Sequence, residues 1–461
     1  MSEYFKGDDF MKSTKKLSLF AITWPIFVET LLHILMGNAD TLMLSQYSDK
    51  SVAAVGVANQ ILFIVIVMFG FIATGTAVLV SQHLGANERQ EAEVVSIVSI
   101  IVNSIFGLFL SSLLLFFGDS FLRLMKLPEE LFDEAYSYLL IVGGTSFIHG
   151  LIITVGAILK SYGYTRDTMY ITIGMNLLNI LGNYLFIFGP LGVPILGVDG
   201  VAISTAVSRF IALLGIIYLL FKRTNISIGA SNFYSLPIRH VKNLLKIGVP
   251  SAGEHLSYNT SQMLIMYFIT LMGTEAITTR VYTQNIMMFI VVFGAAVSQG
   301  TQIIVGHLVG AKAFKDAYKQ CLRSLKLAIA VSFIMAIGVS CFSDSLFSIF
   351  TTNKHIIETG SILILLTIIL EPGRSFNLVI INSLKAAGDV KFPVYMGILS
   401  MWGISVPLAY YLGVELGLGL AGVWLSFIAD EWFRGLVMLW RWRSKVWQHK
   451  SFVQSRFEAA Q

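Results

Sequence analysis

The stretch Trp24-Pro-Ile-Phe-Val-Glu29-Thr-Leu-Leu-His33-Ile-Leu-Met-Gly37-Asn38-Ala-Asp40 decides how this chain is read. It lies in an apolar run from about Leu17 to Leu44, long enough for a membrane-spanning helix. Yet it carries Glu29, His33 and Asp40. Steps of four and seven residues put all three on one stripe of a helix. At about 1.5 Å per residue the stripe extends over roughly 16 Å, half of the hydrocarbon core. An acid at the bilayer centre costs roughly 2.5–3.5 kcal/mol or more, so it faces protein or water. Two readings follow: a buried polar cluster that holds helices together, or an ion or proton site in a transporter.

Composition bounds the rest. The chain has 461 residues, 55% of them hydrophobic and 13% charged. Apolar runs of 20 or more residues recur to the C-terminus, which predicts an all-α, polytopic membrane protein. The runs are continuous rather than alternating, which excludes a β-barrel. The 39 glycines suit close helix packing in lipid, with Gly56, Gly70, Gly75, Gly143 and Gly144 as candidates. The two cysteines, Cys321 and Cys341, suggest no disulfide framework. Nothing resembles a cleaved signal peptide. The net charge of +5 sits in loops and does not argue for nucleic acid.

Twelve spans are expected, near 17–44, 52–80, 94–117, 132–158, 168–189, 196–221, 243–272, 277–305, 318–341, 355–383, 392–413 and 418–440. With the N-terminus inside, cytoplasmic segments and span ends hold 24 Lys and Arg, outside segments only 5, and Arg209, Arg374 and Arg434 stay within spans. The positive-inside rule then places both termini in the cytoplasm. The halves repeat at an offset of 225: Pro25 with Pro250, Glu29 with Glu254, Ile61 with Ile286, Gly75-Thr76 with Gly300-Thr301, Gly85-Ala86 with Gly310-Ala311, and Leu159-Lys160 and Gly163 with Leu384-Lys385 and Gly388. A shift of 222 aligns Leu196-Gly197 and Gly200 with Leu418-Gly419 and Gly422. Six spans per half make the repeats parallel, a known transporter plan of two pseudo-symmetric lobes around a central cavity. The expected division is an N-terminal lobe at 1–221, a cytoplasmic linker at 222–242 and a C-terminal lobe with a cytoplasmic tail at 243–461.

The repeat also sorts symmetric positions from asymmetric ones. Glu29 and Glu254 are equivalents, each four residues after a proline. They read either as a paired structural feature or as cavity acids that attract a cationic substrate. Asp40 instead aligns with Ile265, and Asn176, Asn179 and Asn183 align with Met401, Ile404 and Leu408. A polar cluster is therefore expected in the first lobe only. A carboxylate with amide and hydroxyl oxygens is hard-ligand chemistry suited to Na⁺, and the same carboxylate can carry a proton. The plainer reading of the asparagines is interhelical hydrogen bonding.

Further motifs bear on the family. Pro25…Asp40, Gly75-Thr76…Gly85-Ala86, Asn176-x-x-Asn179-x-x-x-Asn183-Tyr184 with Phe188-Gly189, Gly197-Val-x-Gly200-Val-Ala and Leu384-Lys-Ala-Ala-Gly388-Asp389 together resemble the multidrug and toxic compound extrusion (MATE) family, bacterial type. The resemblance covers nearly the whole chain. It implies a twelve-helix, two-lobe antiporter that exports amphipathic, usually cationic, compounds against Na⁺ or H⁺, with no cofactor. It also implies a cation or proton site at Asp40, Asn179 and Asn183, with Tyr138 and Thr205 added by approximate register. The functional acid that many members carry in the tenth span falls nearer Arg374 here. That departs from the drug-exporting pattern, and an arginine there would admit an anionic group on the substrate. Pairing of Glu371 with Arg374, three residues apart, is the structural alternative.

The last span carries Asp430, Glu431 and Arg434, read as helix-joining charges, and then Trp440-Arg-Trp-Arg443, read as an interfacial anchor. His149 and His255 read as satisfied core histidines. No Walker motif, CxxC pair or HExxH is present, so ATP-driven transport and enzymology are not expected. The expected partners are a small-molecule substrate and the lipid bilayer of a bacterial plasma membrane, with the protein a monomer. The rivals are a lipid-linked precursor flippase of the related superfamily, an exporter of anionic metabolites, and a channel. Six buried acids against three buried arginines disfavour the flippase, whose cavity would bind phosphates.

Overall fold

A computed structural model describes residues 18–224, 226 and 237–453. Among the described residues twelve long helical segments follow one another, each overlapping one of the expected spans: α1 (Leu19–Ser45), α2 (Asp49–Gly85), α3 (Arg89–Leu124), α4 (Glu129–Gly143 with Ser146–Ser161), α5 (Thr165–Phe188), α6 (Gly197–Arg223), α7 (Ile238–Thr270), α8 (Thr274–Gly310), α9 (Phe314–Cys341), α10 (Lys354–Ala386), α11 (Lys391–Glu415) and α12 (Gly419–Arg443). Among the described residues, nine helices are long and apolar enough to cross a membrane, or ten if the two parts of α4, bent by 42°, are one span. The other two, α7 and α12, are diluted by polar side chains: Glu254, His255, Asn259 and Gln262 in one, Asp430, Glu431 and Arg434 in the other.

The repeat is written into the helix ends. α2 and α8 begin and end 225 residues apart, and so do α4 and α10. The turns repeat as well. Asn87 and Lys312, both past a helix end, have φ of 61° and 57°. Gly163 and Gly388 have φ of 91° and 92°, a left-handed region that costs glycine nothing. The Gly85-Ala86 and Gly310-Ala311 motifs have a steric cause. A Cβ on Gly85 would lie 2.0 Å from the His307 carbonyl oxygen, and one on Gly310 would lie 1.9 Å from that of Gln82. Two helix ends therefore cross backbone to backbone, and only glycine permits it.

The chain divides into two compact units. One holds Val28–Val80 and Glu88–Gly248; the other holds Met1–Phe27, Ser81–Asn87 and Val249–Gln461. Of the expected linker 222–242, residues 225 and 227–236 lie outside the described residues. α1 and α7 each change unit beside their proline, and the end of α2 from Ser81 belongs with the second unit. The start of α1 packs on α8, where a Cβ on Gly300 would meet Thr23 Oγ1 at 2.7 Å. The start of α7 packs on α2, with Gly75 against the Leu244 carbonyl.

Each unit has its own packed interior. The first centres on Phe69, Leu114, Leu139 and Val201, the second on Val305, Ile380, Leu384 and the stacked pair Trp442 and Trp447. Between helices in lipid the driving force is close packing rather than water exclusion. Gly143 and Gly144 serve it, since a Cβ on either would strike Leu114 or Leu115 within 2.9 Å. Gly56 and Gly70 do not: nothing lies within 4 Å of their would-be Cβ atoms, which corrects the close-packing role expected for them. Large apolar side chains such as Phe109, Phe116 and Phe117 of α3 are exposed, as a lipid-facing surface requires. Short π-helical turns interrupt α4 at Leu139–Gly143 and α11 at Met401–Ser405 and Tyr411–Glu415. Such bulges recur at functional sites, and the one in α4 follows Tyr138 directly.

Candidate functional site

The unit built from α2–α6 and most of α1 holds a chain of polar side chains. Asn183 Nδ2 on α5 donates to Asp40 Oδ1 on α1 at 2.6 Å and to Asn179 Oδ1 at 3.0 Å. Asn179 Nδ2 in turn donates to Thr205 Oγ1 on α6 at 3.0 Å, and the Thr205 hydroxyl donates to the Val201 carbonyl. Asn179 and Asn183 share a helix face because they are four residues apart, and both are buried. The buried Asn183 Oδ1 has no hydrogen-bond partner. An orphaned acceptor beside a carboxylate is the donor set a cation or a protonated carboxyl can use. Among the described residues no group of three His, Cys, Asp or Glu side chains could hold a metal ion. A cation at Asp40 would therefore rest on one carboxylate with amide and hydroxyl oxygens.

Tyr138 is buried on α4, within electrostatic reach of Asp40 and beside Asn59 of α2. Asn59 was missed in the sequence because a lone asparagine in an apolar helix carries no spacing signal. Asn176 faces elsewhere: its Nδ2 donates to the Leu32 carbonyl of α1 at 3.0 Å, an interhelical tie one turn from the cluster.

Glu29 and Glu254 each meet a lysine. Lys160 Nζ lies 2.7 Å from Glu29 Oε1, and Lys385 Nζ lies 2.7 Å from Glu254 Oε2. The partners are 131 residues apart in both cases and stand in the same repeat register. Thr168 adds a hydroxyl bond to Glu29 at 2.9 Å. Both lysines counted as cytoplasmic loop charges in the sequence. The repeat shows that they recur at the same offset as the glutamates, but not that they pair with them.

The second unit carries a denser network. Arg374 Nη1 is 2.6 Å from Glu371 Oε1, and its Nε is 3.6 Å from Glu431. Arg434 reaches Asp430 at 2.8 Å and Glu431 at 3.3 Å, Asn377 donates to Glu431 at 2.8 Å, and Ser400 bonds Asp430. Three acids thus share two arginines. A buried charge network of this kind holds one arrangement, because loss of any member strands the others.

His149 departs from the expected satisfied core histidine. It is 7% exposed, and its Nδ1 has no hydrogen-bond partner. Its ring stands edge-on to that of His33, with centroids 6.4 Å apart.

Helices long and apolar enough to cross a bilayer, a twofold repeat and charges buried among the helices are the plan of a secondary transporter. The family is then named by the match itself: the MatE model fits residues 25–185 and 250–411, and the chain belongs to that family of multidrug and toxic compound extrusion transporters. A Bacillus subtilis protein described as the uncharacterized transporter YisQ is 55% identical over 95% of this chain and 96% of its own length. A Thermotoga maritima protein described as a probable multidrug resistance protein NorM is 26% identical over 94% of both chains. Among solved structures, an outward-facing multidrug resistance MATE transporter of the MOP superfamily superposes with a TM-score of 0.86 at 22% identity, covering 94% of this chain and 96% of that one. A MOP superfamily transporter from Pyrococcus furiosus, described as having a binding pocket of reverse polarity, gives 0.84 at 21% identity over the same shares of the two chains. The fold is thus that of this family of multi-pass bacterial membrane transporters.

Proposed function

We propose that the protein is a secondary active antiporter that exports amphipathic, cationic small molecules in exchange for Na⁺ or H⁺ by alternating access. The observation that carries the reading is the chain Asp40–Asn183–Asn179–Thr205, with Asp40 half-buried and the other three buried, and without a counterpart in the second repeat. An intramembrane acid is retained at a cost and marks an ion or proton path. Its asymmetry separates it from the Glu29–Lys160 and Glu254–Lys385 pairs, which recur and neutralise themselves. In this reading Asp40 takes up the coupling ion, and Asn179, Asn183 and Thr205 hold it in position, with Tyr138 beside them. The protein works as a monomer in the plasma membrane with both termini in the cytoplasm, the orientation that the lysine and arginine distribution favours.

The test is efflux of a cationic dye from proteoliposomes under an imposed Na⁺ or pH gradient, with wild type and Asp40→Asn. One gradient drives wild-type efflux, and the substitution removes it. Efflux that survives Asp40→Asn moves the coupling role elsewhere, with Glu254 and Glu371 next.

A further inference from the structure

Arg209 has no ion pair or hydrogen bond among the described residues. It lies near the middle of α6, four residues after Thr205 and so on the same face. It is half-buried and acts electrostatically on Asp40, Tyr138, His33 and His149. An arginine at membrane depth is costly, and one without a built-in partner marks a ligand or ion path. The two imidazoles beside it are also unengaged. Neither ring bonds a described residue, His33 is exposed, and the buried His149 Nδ1 has no acceptor or donor. The other charged groups near His33 are Glu29 and Lys160, which are bonded to each other.

The repeat shows what fills this place in the other unit. At the offsets of 225 and 222, His33, His149 and Arg209 correspond to Tyr258, Arg374 and Glu431. There, Arg374 and Glu431 approach to 3.6 Å, and Tyr258 lies within electrostatic reach of Arg374. The same three positions are therefore polar in both halves. The difference lies in the carboxylates. The second unit supplies its own, Glu371 and Glu431, whereas their equivalents in the first are Ser146 and Arg209. Among the described residues no carboxylate bonds the cationic and imidazole donors of the first unit: Asp40 accepts from Asn183, and Glu29 pairs with Lys160.

We propose that Arg209, His33 and His149 form a subsite for a carboxylate of the transported molecule. The guanidinium presents paired N–H donors to the two carboxylate oxygens, and an imidazole N–H completes the set. The cationic end of the same molecule answers the Asp40 carboxylate. The inference rests on the exporter reading above for its role in transport, but the subsite is a matter of binding alone.

The experiment is binding of a matched pair of dyes, a rhodamine with a free carboxylate and its methyl ester, to the purified full-length protein in nanodiscs. The free acid is expected to bind about ten- to a hundredfold more tightly than the ester. Arg209→Gln removes that preference by weakening the free acid relative to the ester, Arg209→Lys restores part of it, and His33→Gln weakens it. Saturable ester binding shows that each variant is folded. Equal binding of acid and ester by wild type, no binding of either, or a preference that survives both Arg209→Gln and His33→Gln overturns the proposal. A preference that vanishes when the nanodisc lipid is changed from zwitterionic to anionic assigns the subsite to a headgroup phosphate and overturns it too. Because no gradient is applied, loss of coupled transport with an intact acid preference counts against the exporter reading only.

Discussion

Breaking the buried pair Glu254–Lys385 by Lys385→Met tests whether the repeated ion pairs are structural. At 2.7 Å the attraction is about 6 kcal/mol for an effective dielectric constant near 20. Much of that offsets the desolvation of both groups, whose side chains are only 7% and 13% exposed. The pair as a whole is therefore worth little against an apolar replacement, but a single substitution leaves Glu254 charged and stranded. Removing one partner costs about 3–5 kcal/mol. For a lobe of this size that lowers the melting temperature by roughly 10 °C. Thermal unfolding of the purified protein in one detergent reads it, for Lys385→Met, Glu254→Gln and the double variant. Each single substitution is expected to destabilise by that amount, and the double variant to recover most of the loss. A double variant whose loss equals the sum of the singles would refute the pairing argument, because it would leave no coupling between the two side chains. Glu29 and Lys160 should behave in the same way, with Thr168 softening the loss of Lys160.

Four further outcomes follow. Gly85→Ala and Gly310→Ala should each cost about 3 kcal/mol or prevent accumulation of folded protein, since a methyl group there meets a carbonyl oxygen at 2.0 or 1.9 Å. Gly56→Ala and Gly70→Ala, with open space, should leave the melting temperature unchanged or raise it slightly. Gln82 Oε1 accepts from Phe452 N at 2.9 Å and from Ser451 at 3.0 Å, so Gln82→Ala should release the segment 450–453 and raise its rate of cleavage by a protease severalfold, without loss of the helical fold. Asn183→Leu should abolish gradient-driven dye efflux while folding normally by size-exclusion chromatography, because it removes the donor to Asp40 and the orphaned acceptor together.

The fold was legible in the sequence because its largest signals are periodic. Apolar runs placed the twelve helices, and the offset of 225 reappears in the ends of α2 and α8 and in the φ values at Gly163 and Gly388. Spacing also brought Asn179 and Asn183 to one face, which Asp40 meets. What the sequence hid were pairings across helices. Lys160 and Lys385 resemble the loop lysines that orient any membrane protein, and nothing local says that they turn inward to Glu29 and Glu254. Asn176 belongs to the same triplet as Asn179 and Asn183 but ties to a backbone carbonyl instead, since hydrogen-bond choice depends on which helix passes at that level. His149 looked like a core histidine until its repeat equivalence to Arg374 and its unpartnered Nδ1 were seen together.

If the Asp40 cluster couples substrate export to an ion, the ion flux itself must depend on it. Proteoliposomes loaded with a cationic dye and either a pH or a Na⁺ indicator should show H⁺ or Na⁺ moving against the dye as it crosses the membrane. Asp40→Asn should abolish that ion movement and leave the melting temperature of the protein within a few degrees of wild type. Dye-linked ion movement that persists in Asp40→Asn would contradict the account.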